Sequence, residues 1–359
     1  MSNMRASLSF VSGVLLLCGA IGCAPGNSGG SGPKLQMATL QNKAGKFVEP
    51  SITSAQNALA TVKLPDDLIA WVSDPEGDES YPIVTYSWIV AYKKYADARK
   101  GNAMADVLTY CVTDGQTESE ALGYIPLPAK AREKVQAALA KIAVQGGAKG
   151  ETTLDGAGAT FPKPLYRKWF TQYNKDHPEV TINYQAVGSG PGVKLLIDEN
   201  VDFGASDAAM TPEEIAKVER GVQFLPMTAG SIVLAYNLPG VDNLKLTRDA
   251  YVGIFLGKIK KWNDKAIADA NPSLKLKLPD QDITVVTRTG GSGTTYVFTK
   301  HLSAISEEFA KGPGVSTQPN WPVGAKAKGN EGVATLINST PGSIGYLEYG
   351  YVTNGRQRK

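Results

Sequence analysis

Thr287-Arg288-Thr289-Gly290-Gly291-Ser292-Gly293-Thr294-Thr295 follows an apolar, β-branched run, Ile283-Thr284-Val285-Val286, and precedes Tyr296-Val297-Phe298-Thr299-Lys300-His301-Leu302. The order reads as strand, glycine-rich turn, helix. A turn of this kind aims several unpaired backbone N–H groups and a few hydroxyls at one point, with the positive end of a helix dipole behind them. That point suits an anion, and Arg288 adds a planar fork of donors matched to a tetrahedral oxyanion. The lysine of a Walker A loop is absent, which argues against a nucleotide-hydrolysing P-loop.

The same arrangement recurs upstream. Thr152–Leu154 leads into Asp155-Gly156-Ala157-Gly158-Ala159-Thr160-Phe161-Pro162 and an amphipathic helix over Leu165–Tyr173. Val180–Tyr184 leads into Gly188-Ser189-Gly190-Pro191-Gly192 and a helix from Val193, and Val201–Ala205 into Ser206-Asp207 and a helix over Glu213–Arg220. Such a series predicts an α/β fold with ligands gathered at the C-terminal ends of the strands. A strand over Ser231–Asn237 carries the chain into a second region, with a helix at Leu246–Leu256, the strand Ile283–Val286, a helix at Glu331–Asn338 and a strand at Gly342–Tyr346. Arg288 belongs to this second region, and Thr160, Ser189 and Asp207 to the first. A ligand touching all of them sits in a cleft between two domains.

The first third of the chain reads as a strand at Gln36–Gln41, a helix at Ser54–Val62, a strand rich in Val, Ile, Tyr and Trp at Tyr81–Tyr92, and helices at Ala96–Thr113 and Ala129–Ile142. Val144–Thr153, with three glycines, reads as a linker.

Nearly every polar group offered by these loops is a donor: Thr160, the Phe161 N–H, Ser189, Arg288, Ser292, the Gly293 N–H and Thr294. Asp207 is the exception. A buried carboxylate repels a fully ionised oxyanion such as sulfate but accepts the proton of hydrogen phosphate, so donors in excess plus one carboxylate favour phosphate over sulfate. Taken singly, the features are weaker. One Gly-Ser-Gly is more often a turn, Asp155–Phe161 has two of the three glycines of a dinucleotide fingerprint, and Asp207 reads equally well as a helix N-cap.

With 37 Lys and Arg against 34 Asp and Glu in 359 residues, the net charge of +3 implies no nucleic-acid or membrane-surface partner. The only histidines, His177 and His301, show no metal-ligand spacing and leave little for a Ser-His mechanism, and no cofactor or metal is expected. Cys111 falls in a helical pattern and reads as a small buried thiol. At the N-terminus, Arg5, the short apolar run Leu8–Ile21 and Ala20-Ile21-Gly22-Cys23 read as a lipoprotein signal peptide over residues 1–23, with Cys23 as the lipidated residue and residues 24–33 as a flexible tether.

Asp155–Pro162, Val201-Asp-Phe-Gly-Ala-Ser-Asp207, Gly257-Lys-Ile-Lys-Lys-Trp-Asn263, Gly291-Ser-Gly-Thr294, Lys328-Gly-Asn-Glu-Gly332 and Pro341-Gly-Ser-Ile-Gly-Tyr-Leu-Glu-Tyr349 together resemble the periplasmic phosphate-binding proteins (PstS family) of bacterial phosphate ABC transporters. The resemblance covers nearly everything after the tether. It implies a two-lobed, type II-like periplasmic binding fold that closes on phosphate, with Thr160, Phe161 (backbone), Ser189, Asp207, Arg288, Ser292, Gly293 and Thr294 on the ligand.

Two departures stand out. Family members usually carry an acidic residue at the place of Gly290, which leaves Arg288 here without that partner. The segment order also differs: the run Gly156–Tyr351 comes first in the family and the run Met37–Ile142 last, so the chain reads as circularly permuted. Lobe I then spans residues 51–230, with the joined old ends at 144–153, and lobe II spans 231–359 plus 34–50. The expected protein is a monomeric, lipid-anchored, non-enzymatic carrier outside the inner membrane, which binds inorganic phosphate and delivers it to an ABC permease. The alternatives are a permuted phosphate-binding scaffold or sensor without a transport role, and a phosphoester-processing enzyme.

Overall fold

The computed structural model describes residues 35–142 and 150–353. The expected signal segment 1–23 with Cys23, the tether 24–33 and residues 144–149 of the expected linker lie outside the described residues. The strands, in chain order, are β1 (Gln36–Met37), β2 (Thr39–Gln41), β3 (Phe47–Val48), β4 (Val84–Tyr92), β5 (Thr152–Gly158), β6 (Val180–Gln185), β7 (Phe203–Ser206), β8 (Val222–Asn237), β9 (Lys245–Leu246), β10 (Thr284–Arg288), β11 (Ala325–Ala327) and β12 (Ser343–Glu348).

Among the described residues the main sheet runs β11-β10-β12-β8-β4-β7-β5-β6, with β1 also on β8, and β3-β2-β9 form a small second sheet. β8 ties the main sheet together. Its first part, from Val222 to Ser231, pairs antiparallel with β4, and its last part, from Ile232 to Asn237, pairs antiparallel with β12. The sequence discloses only that last part as a strand, because Pro226 and Gly230 interrupt the earlier pattern. Pro226 is tolerated because the register shifts opposite Ser87 and Trp88, and a bulge relieves the strand of the N–H that proline lacks.

β4 is buried along its whole length, as its run of β-branched and aromatic residues requires for a strand with neighbours on both edges. On one side of it β5, β6 and β7 are parallel, and on the other β10 is parallel to β11 and β12. Parallel strands need crossovers, and the helices Lys163–Asp176 and Ser189–Ile197 supply them between β5, β6 and β7. One continuous apolar core includes Trp88, Trp169 and Trp262, all fully buried. Cys111 is buried in the helix Ala98–Val112, and its burial pushes the thiol pKa up. No described helix is long and apolar enough to cross a membrane.

Several boundaries differ from the expectation for local reasons. The helix after β6 starts at Ser189 rather than Val193, entered through Gly188 with φ of 111°. The helix placed at Glu213–Arg220 is confined to Pro212–Ala216, with Thr211 and Glu214 forming a capping box. The segment Gln36–Gln41 divides at Ala38, β1 joining β8 and β2 joining β3 and β9.

Candidate anion-binding site

The C-terminal ends of β5, β6, β7 and β10 converge, and glycines set how closely. Gly158, with φ of 152°, closes β5, and a Cβ there would lie 2.0 Å from the Ala205 carbonyl oxygen of β7. Gly293 opens the helix Gly293–Ile305 after β10. A Cβ on it would lie 2.5 Å from Ser189 Oγ and 2.7 Å from Asp207 Cβ. Only glycine lets the turn quoted first above press against the ends of β6 and β7.

Hydrogen bonds tie the converging ends together. Ser189 Oγ accepts from the N–H groups of Gly293 at 3.1 Å and Asp207 at 3.3 Å. The Gly190 N–H donates to the Gly291 carbonyl at 3.2 Å. Ser292 is the N-cap of its helix, its Oγ accepting from the Thr295 N–H at 3.2 Å. Thr160 Oγ1 accepts from the Asn330 backbone N–H at 3.2 Å and from Asn330 Nδ2 at 2.9 Å, and the same Nδ2 donates to Thr294 Oγ1 at 3.3 Å. Behind them the Tyr351 hydroxyl donates to the Thr160 carbonyl, and the Tyr124 hydroxyl donates to the Phe161 carbonyl at 2.7 Å.

Two buried charges define the electrostatics. Asp207 is 1% exposed, and Ser87 Oγ donates to its Oδ1 at 2.7 Å. Burial raises its pKa from 3.8 to about 7, against the opposing pull of the Ser87 hydrogen bond and the Arg288 charge. Arg288 is 5% exposed, and its Nε and Nη1 have no hydrogen-bond partner in the protein. Its backbone N–H donates to the Tyr346 hydroxyl at 3.2 Å, which is itself 2.7 Å from Thr295 Oγ1, so the end of β10 is fixed while the guanidinium fork is not. Burial lowers the Arg288 pKa, and Asp207 works in the opposite direction. A buried, unpaired cation is costly to hold, and a carboxyl with a pKa near neutrality can take or release a proton. Together they suit a small tetrahedral anion that carries a proton of its own.

All eight residues singled out from the sequence are buried and lie at this convergence: Thr160, Phe161, Ser189, Asp207, Arg288, Ser292, Gly293 and Thr294. Asp207 is not a helix cap, since Thr211 caps the helix that follows. Sequence reasoning missed Ser87 and Asn330. A serine within the apolar run Val84–Tyr92 was the available signal for Ser87, because a buried hydroxyl needs a partner. Asn330 lies in the quoted Lys328–Gly332 motif without having been assigned a task. Among the described residues, no group of three or more His, Cys, Asp or Glu could hold a metal ion.

Comparison with known proteins places this geometry in context. Residues 143–359 match the family model described as PBP superfamily domain. The chain is 45% identical over 201 residues to the phosphate-binding protein PstS of Pasteurella multocida, covering 55% of this chain and 57% of that protein. It is 44% identical over 201 residues to the phosphate-binding protein PstS of Haemophilus influenzae, covering 55% of this chain and 59% of that protein. The chain thus spans little more than half the length of the curated relatives it matches. Among solved structures, a phosphate-binding protein of a phosphate ABC transporter from Streptococcus pneumoniae matches at 15% identity with a TM-score of 0.41, covering 64% of this chain and 71% of that chain.

Proposed function

Since the chain belongs to the PBP superfamily domain family, we propose that it binds inorganic phosphate outside the inner membrane as a non-enzymatic carrier and delivers it to a phosphate ABC permease. The observation that carries this reading is the buried Arg288 fork, whose Nε and Nη1 have no protein partner, beside a carboxyl, Asp207, whose pKa is about 7. Arg288 neutralises the anion. Thr160, Ser189, Ser292 and Thr294 donate hydroxyls, Phe161 and Gly293 donate backbone N–H groups, and Asp207 accepts the proton of hydrogen phosphate. Sulfate, with no proton to give, meets the Asp207 carboxylate as a like charge.

The reading extends to the arrangement of the chain. Residues 51–230 form one lobe and 231–359 with 34–50 the other, with β8 running through both and the cleft closing by a hinge motion. The segment order is a circular permutation of the family's. In support, β4 precedes β5 in sequence yet sits between β7 and β8, and Met37 and Tyr349 line one cavity, so the regions flanking the new ends are neighbours. Cys23 carries the lipid and residues 24–33 form the tether, which makes the anchor the protein's one contact with the membrane; the protein works as a monomer and takes no nucleic-acid partner.

Calorimetric titration of the protein lacking residues 1–23, with phosphate and then sulfate near pH 8, tests the reading. One-to-one phosphate binding with no sulfate heat is expected. A folded protein that binds neither anion, or binds both equally, would overturn it.

A further inference from the structure

Thr160 follows β5 and Thr294 lies in the helix after β10, yet both hydroxyls meet the side-chain amide of one residue, Asn330, which is fully buried near the start of the helix Gly329–Ser339. The orientation of that amide is fixed by the backbone, because Asn330 Oδ1 accepts the Glu348 N–H at 3.0 Å and Nδ2 must therefore face the hydroxyls. A threonine oxygen has two lone pairs. On Thr160 both are engaged, by the Asn330 backbone N–H at 3.2 Å and by Nδ2 at 2.9 Å. The Thr160 hydroxyl can therefore enter a further hydrogen bond only as a donor. Thr294 has one lone pair engaged in the same way. Ser189 reaches the same state through the backbone N–H groups of Gly293 and Asp207.

We propose that Asn330 is a positioning residue that sets the direction of the Thr160 and Thr294 hydroxyls, leaving Thr160 able to meet the anion only as a donor and biasing Thr294 the same way. The role rests on the phosphate reading above and adds a source of specificity to it. A hydroxyl with a free lone pair can accept a hydrogen bond from a protonated anion and duplicate the task of Asp207. With both lone pairs filled Thr160 cannot, and that task falls more exclusively to Asp207. An amide does this without adding charge, whereas a carboxylate at the same place would pull the hydroxyl protons away from the ligand and repel it.

The test is a double-mutant cycle between Asn330→Ala and Thr160→Val, read as phosphate affinity by calorimetry from pH 5 to pH 8, with wild-type protein alongside. Asn330→Ala is expected to weaken binding at pH 8 by roughly tenfold. It is also expected to flatten the pH profile, because the released hydroxyls can accept a hydrogen bond from the P–OH of monobasic phosphate. In the Thr160→Val background the same substitution is expected to cost less than about threefold, since the hydroxyl through which it chiefly acts is gone. Should Asn330→Ala not fold, the isosteric Asn330→Asp enters the same cycle, with an expected loss of at least about 100-fold that shrinks in the Thr160→Val background. Wild-type affinity in Asn330→Ala, or an undiminished loss in the Thr160→Val background with an unaltered pH profile, would overturn the inference and leave phosphate binding standing. Failure of the wild-type protein to bind phosphate would remove both.

Discussion

β7 and β12 lead into two buried carboxyl groups, Asp207 just past the end of β7 and Glu348 as the last residue of β12, and their surroundings differ. Asp207 has a cation within electrostatic reach, Arg288, and a hydroxyl donor, Ser87, at 2.7 Å. Burial lifts it only to about 7. Glu348 is fully buried, accepts the Gly350 N–H at 2.7 Å on Oε1, has no partner for Oε2, and has no cation among the groups that act on it. Its pKa is raised well above the ordinary carboxyl value, chiefly by burial. The same carboxyl chemistry is thus tuned to near neutrality in one place and pushed well up in the other. The Ser87 hydrogen bond first and the Arg288 charge second hold Asp207 down against burial, and Glu348 lacks the cation.

Removing the cation should abolish that distinction, and this is the largest effect expected on binding. Arg288→Met deletes charge-assisted hydrogen bonds to the anion and leaves Asp207 without the charge that lowers its pKa. Phosphate affinity is expected to fall by roughly 100-fold or more. The melting temperature without ligand should hold or rise, because an unpaired buried cation gives way to an apolar side chain. Calorimetry and thermal melting check the two halves, and a loss below about tenfold would mean that Arg288 does not face the anion.

Asp207→Asn should act more moderately on affinity, by roughly tenfold, while eroding discrimination against sulfate. It also has a signature without ligand. An acid whose pKa is raised by folding leaves stability untouched below its unfolded value, because both states are then protonated. Stability is lost as pH rises, because only the unfolded chain ionises, and the loss levels off once the folded pKa is passed. The melting temperature of Asp207→Asn should therefore equal that of the wild type below about pH 3, exceed it progressively up to about pH 7, and keep a constant lead above that. A lead that never develops would mean that Asp207 is ionised in the folded protein throughout.

How far this contrast could be read from sequence depended on distance along the chain. The turn Thr287–Thr295 and the segments ending in Thr160, Ser189 and Asp207 were legible because each is local: a strand, a glycine-rich or polar turn, a helix. The interactions that set their chemistry are not local. Ser87 and Asp207 are 120 residues apart, and Asn330 and Thr160 are 170 apart, so no window holds both partners. The first part of β8 was hidden for another reason, since Pro226 and Gly230 read as breakers until the bulge opposite Ser87 is known. Gly290 was expected to leave Arg288 free. The side chain is buried and two of its guanidinium nitrogens have no protein partner, as a missing neighbour at Gly290 leads one to expect.

Glu348→Gln is the smallest perturbation to binding and the sharpest check on the contrast. Glutamine has the shape of the protonated acid and carries no charge, so phosphate affinity is expected to stay within about twofold of wild type. The difference should appear in stability against pH. Burial raises the folded pKa of Glu348 well above its ordinary value of 4.5, so the wild type forfeits stability as pH rises through the unfolded value, where only the unfolded chain ionises. The melting-temperature lead of Glu348→Gln over wild type should open as pH rises above about 4.5. A lead that never opens would mean that Glu348 is ionised in the folded protein and is not the neutral partner in the contrast.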